Sequence, residues 1–108
     1  MADAYKVLGQ SNPGAATLTT AYTVPAVTSA IISTIVVANR SVATSFRLAI
    51  RPAGAAISNE HYIAFDVAIG ANETISLTLG ITLATTDVVS VYATLATLSF
   101  NIFGVEKT

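Results

Sequence analysis

The chain has 108 residues, a formal net charge of −1, no cysteine, and only 10% charged against 53% apolar residues. That length makes a single domain over 1–108. The missing cysteine excludes disulfides and thiolate metal sites, and the lack of any basic run excludes an electrostatic nucleic-acid footprint.

The opening Met1-Ala2-Asp3-Ala4-Tyr5-Lys6 lacks the basic start and apolar centre of a secretion signal. A first strand is expected over 4–9, closed by the turn residues Ser11-Asn12-Pro13-Gly14. From Lys6 to Arg40 no charged side chain intervenes. Within that stretch a second strand is expected over 16–24, where Leu18, Thr20, Tyr22 and Val24 alternate weakly. A third follows over 29–39, beyond Pro25. Ile31, Ile35 and Val37 then point one way and Ile32, Val36 and Ala38 the other. Two apolar faces imply a strand covered on both sides or a contact surface. Ala26–Ala38 is too short, and too rich in hydroxyls, for a membrane span, and no such span is expected anywhere in the chain.

Asn39-Arg40-Ser41 punctuates the chain before a strand over 44–51, where Phe46, Leu48 and Ile50 alternate with Arg47, Ala49 and Arg51. After Pro52-Ala53-Gly54 and Ser58-Asn59-Glu60 comes 61–69, expected to place Tyr62, Ala64 and Asp66 outward. Asp66 is expected to face Arg47 or Arg51 across the hairpin. Past Gly70-Ala71-Asn72, the run Thr74–Leu83 keeps strict period 2 and reads as one strand with one buried face. After Thr85-Thr86-Asp87, further strands are expected over 88–94, apolar on both faces, and 97–105. Asp87 to Glu106 is again free of charge.

Val, Ile and Thr make up about a third of the chain, which favours pleated sheet over helix. About eight short strands at this spacing argue for an all-β, antiparallel two-sheet β-sandwich, jelly-roll-like, with an immunoglobulin-like order left open. Its expected core is Phe46, Leu48, Ile50, Phe65, Ile75, Leu77, Leu79, Val91, Leu98 and Phe100.

The chemical inventory is short. His61 is the single histidine, and no Gly-x-Ser-x-Gly elbow exists. Glu60 and Asp66 along one strand would stand roughly 20 Å apart, too far for a glycosidase pair. Glu60 beside His61 diverges from it and reads as a solvated turn rather than a metal site. No catalytic, cofactor or metal residues are therefore assigned, and no cofactor is expected. Tyr5, Tyr22, Tyr62 and Tyr92 are too scattered to form an evident sugar platform. The interface candidates are Ile31, Ile35, Val37, Arg47, Arg51, Tyr62, Asp66 and Phe103, since arginine and tyrosine are favoured contact residues. Strands 29–39 and 97–105 carry the apolar ones. On this reading Ile35→Glu and Val37→Glu leave the chain soluble and abolish assembly.

Tyr5-Lys6-Val7-Leu8-Gly9-Gln10-Ser11, Asn39-Arg40-Ser41, Phe46-Arg47-Leu48-Ala49-Ile50-Arg51-Pro52-Ala53-Gly54 and His61-Tyr62 carry a likeness. It continues through Leu79-Gly80-Ile81-Thr82-Leu83 and Asp87-Val88-Val89-Ser90-Val91-Tyr92-Ala93. In these segments the chain resembles small virion proteins of tailed bacteriophages, marine and freshwater ones especially. The resemblance implies a non-enzymatic β-sandwich subunit on the outer surface of a phage particle. Its partners would be other virion proteins and its own copies, a trimer suiting a fibre or a local threefold of the head. A place in the tail, baseplate or fibres comes first, a capsid decoration protein second, and a carbohydrate-binding or enzymatic domain last.

Overall fold

In the computed structural model, which describes residues 3–108, the apolar runs become nine strands. They are β1 (Asp3–Ser11), β2 (Thr19–Thr23), β3 (Ser29–Asn39), β4 (Thr44–Arg51), β5 (Tyr62–Ile69), β6 (Thr74–Leu77), β7 (Ile81–Leu83), β8 (Val88–Ala93) and β9 (Leu98–Lys107). Of the opening read against a secretion signal, Met1 and Ala2 lie outside the described residues. Two 3-10 turns, Pro52–Gly54 and Asn59–His61, are the only helical pieces among those described.

The pairings are nested: β1 with β9, β2 with β8, β3 with β6 and β7, and β4 with β5, all antiparallel. Counting β6 and β7 as one interrupted strand, first pairs with last, second with second-last, and so inward. Two further pairings, β3 with β9 and β4 with β8, fold this nest into two sheets. One has the order β1-β9-β3-β6 with β7 also on β3, and the other β2-β8-β4-β5. That is a jelly-roll order and not the immunoglobulin one. Between the layers Phe46 and Phe100 meet edge to face at 6.0 Å. Ile32, Ile35, Leu48, Ile69, Val91, Leu98 and Ile102 close around them without exposure beyond 1%.

Several expectations fail for one reason: a β-bulge shifts the phase of a period-2 pattern by one residue. Along β9, Gly104 pairs with Ile32 and Phe103 with Thr34, so Ser33 is an extra residue in β3. Before it Ala30 and Ile32 face inward; after it Ile35, Val37 and Asn39 do. The apparent two-sided apolarity of 29–39 is thus one buried face written in two phases. Ile35 and Val37 are core residues at 0% exposure, not an outward contact surface. By contrast the two-sided β8 is covered on both sides, since Val88 and Ser90 are buried on its outer side, with the Pro52–Gly54 turn close over Val88.

The same bulge breaks the expected strand 74–83. Leu77 lies opposite Ile35 and Ile81 opposite Ile32. Three residues of one strand must therefore span two of the other. Thr78, Leu79 and Gly80 loop out, Gly80 at φ +64, and Leu79 is 52% exposed instead of buried. In β5, bulges around Ile63 and at Phe65–Asp66 do likewise. Phe65 moves outward, 54% exposed, while Ala64 turns in against the core.

Candidate interaction surface

The few charges of this chain are spent largely on its own framework. Lys6 pairs with Glu106 at 2.8 Å and Arg47 with Asp66 at 2.6 Å. Arg51 donates to Ser90, to Thr20 and to the Gly54 and Ala55 carbonyls. Asp87 accepts from the Ala53 and Ala84 amides, Glu73 from Gly70, and Glu60 from the Ser58 hydroxyl. Arg40 donates to the Ala96 carbonyl. Asp3 and Lys107 remain, opposite each other at one end of the five-stranded sheet.

That sheet's outer face is consequently almost free of charge. Register places Tyr5, Val105 and Ile31 in one row, with Thr82 beside them, and Val7, Phe103 and Thr34 in the next. Tyr5 is 81% exposed, Val7 47% and Ile31 40%; Phe103 and Val105 are half-buried among them. A further row, Gln10, Asn101 and Val36, is tied by Gln10 Nε2 donating to Asn101 Oδ1 at 2.7 Å. Contiguous exposed apolar surface of this kind marks contact sites. Of the residues singled out from sequence, Ile31 and Phe103 meet here. Tyr5 and Val7 were missed. Their alternation with Lys6 was the available signal.

Arg47, Tyr62 and Asp66 come together on the other outer face, that of the four-stranded sheet. The bulge sets both Phe65 and Asp66 against Arg47, with Asp66 at φ +50. Arg47 Nε donates to Asp66 Oδ1, and its Cζ lies 4.1 Å from the Phe65 ring centre and 4.4 Å from that of Tyr92. Bonding to Asp66 holds the guanidinium still more firmly protonated. Tyr62 meets Phe65 edge to face at 4.9 Å, and with Asn59 these two rings line an open groove of about 380 Å³. Sequence alone could not have found Phe65, because nothing in 61–69 announces where the bulge falls. Arg51, an interface candidate, has its donors turned into its own turn and neighbouring strands.

His61 Nδ1 accepts from the Ser58 amide, and Ser58 Oγ from nearby donates to Glu60. This closes a small turn and lowers the Glu60 pKa, chiefly through the Ser58 bond. Among the described residues no three His, Cys, Asp or Glu side chains converge. The two sheets are also tied at one margin. Tyr22 on β2 donates to Glu106 on β9 at 2.6 Å, while Lys6 on β1 holds the other carboxylate oxygen.

Scans against protein-family models and searches of curated proteins and solved structures return no match for this chain.

Proposed function

We propose that this chain is a non-enzymatic structural subunit of a tailed-phage virion, in the tail, baseplate or fibre apparatus, acting through protein contacts. The observation that carries the reading is the apolar outer face of the five-stranded sheet around Tyr5, Val7, Ile31 and Phe103. A chain with eleven charged residues that ties nine of them into its own turns and margins keeps little to hold neighbours away. Interfaces of permanent assemblies have this apolar character. The phage context comes from the sequence resemblance alone, since jelly rolls host many functions.

Labelling at the C-terminus of the chain in particles of a phage that encodes it tests the proposal. Label is expected at the tail, baseplate or fibres. Label over the head would replace that placement with capsid decoration. Purified particles without the chain, or capture of glycans by the isolated chain, would overturn the structural role.

A further inference from the structure

Four edges bound the two sheets, and each is interrupted somewhere, β1 by a bulge at Leu8. The Thr78–Gly80 loop-out parts β6 from β7. β5 bulges twice, with Asp66 in the left-handed region. β2 is five residues long and bulged at Ala21. Such breaks keep a sheet edge from recruiting a strand from another chain. β1 differs. From Asp3 to Val7 it runs in unbroken register along β9, and all five residues are exposed. Beyond Leu8 it closes against β2, where a β-carbon on Gly9 would sit on the Ala21 carbonyl oxygen. Lys6, the charge that could guard the middle of the run, is drawn to Glu106.

We infer that Asp3–Val7 is an open pairing edge, and that it takes the same segment of a second copy, antiparallel about a two-fold axis through Tyr5. Residues opposite one another in an antiparallel pair share a face. The outer faces of two copies stay continuous only if odd-numbered residues meet odd-numbered ones. Within that limit, centring on Tyr5 pairs the whole run: Tyr5 with itself, Asp3 with Val7, Ala4 with Lys6. The free main-chain N–H and C=O groups along β1 then find partners, and the Tyr5–Val105–Ile31 rows of both copies join into one apolar band. The five residues Asp3–Val7 are the longest unbroken run on any of the four edges. The inference rests on the reading that protein covers this face, and identifies the first cover as a sister copy.

The chain has no cysteine, so single-cysteine variants report cleanly. Sedimentation of the purified chain at high micromolar concentration should give twice its mass of 11.1 kDa. Under mild oxidation Tyr5→Cys should convert to a disulfide-linked dimer, because opposed strand residues lie within disulfide reach. Ser76→Cys, on the far edge, should not. Tyr5→Lys with Val7→Lys, both at exposed positions, should sediment as a monomer with an unchanged circular dichroism spectrum. A wild-type chain that stays monomeric overturns the inference. So does a dimer that neither cross-links through Tyr5→Cys nor dissociates with the two lysines. Either failure leaves the covered-face reading to stand or fall on particle labelling.

Discussion

Glu106 is held from two sides, and its titration follows. The bond from Lys6, then that from Tyr22, lowers its pKa below the ordinary carboxylate value of 4.5. A depressed carboxyl stabilises the fold above its unfolded pKa, and that contribution disappears as pH falls through the folded value. Tyr22 shifts the other way: burial first, then the Glu106 bond, raises it above the ordinary 10.0. Its contribution is complete below pH 10 and is lost as pH rises beyond, since the unfolded tyrosine ionises first. Glu106→Gln should therefore flatten the acid limb of a urea-midpoint profile and cost on the order of 1 kcal/mol at neutral pH. Tyr22→Phe should shrink the alkaline limb. Asn39 is the other side chain on which much converges. Buried to 4%, it donates to the Val42 and Gly70 carbonyls and accepts from the Ser41 amide and Thr97 hydroxyl. One amide thus joins three loops at one end of the sandwich. Asn39→Ala should destabilise by about 3 kcal/mol, read by denaturant titration. In the sequence it looked like one more turn residue, because two of its partners, Gly70 and Thr97, lie 31 and 58 positions away.

The bulge at Ser33 acts on whole strands. It brings the β3 backbone over β9 so closely that a β-carbon on Gly104 would sit on the Ile31 carbonyl oxygen, with Ile32 Cα 3.0 Å away. Both obstacles are main chain and cannot rotate aside. Gly104→Ala should cost about 3 kcal/mol by overpacking, whereas Gly14→Ala, whose nearest neighbour is Thr17 Oγ1 at 3.8 Å, should be close to neutral. Thermal unfolding of the two variants checks the contrast. Strand existence was legible: 29–39 and 44–51 begin and end where the turn residues place them. The faces were legible only in unbulged strands. Leu98, Phe100 and Ile102 alternate inward as their pattern says. Leu79 leaves the core because the bulge in β3 imposes a phase change on 74–83, and Phe65 because its own strand bulges where nothing in its segment marks it.

The sandwich, 44 × 27 × 20 Å, presents two unlike outer faces. One concentrates the Arg47–Asp66 pair among aromatic rings that mostly satisfy it. The other is apolar and bordered by an open strand edge. Surface and core substitutions should separate accordingly. Ile35→Glu or Val37→Glu places an unpaired charge where exposure is 0%, and each should prevent folding. Ile31→Lys with Phe103→Lys should keep stability within about 1 kcal/mol, measured by chemical denaturation, and on the proposed role should abolish incorporation into phage particles.

The residues alone settled the class of fold, most of the turn positions and the scarcity of charge, and narrowed the partner of Asp66 to Arg47 or Arg51, because these depend on composition and on neighbours along or just across a hairpin. Tertiary structure decided which apolar residues look outward. In a sheet that choice depends on register against strands far away in the chain, and one extra residue, Ser33 in β3, reverses it for everything downstream in its strand.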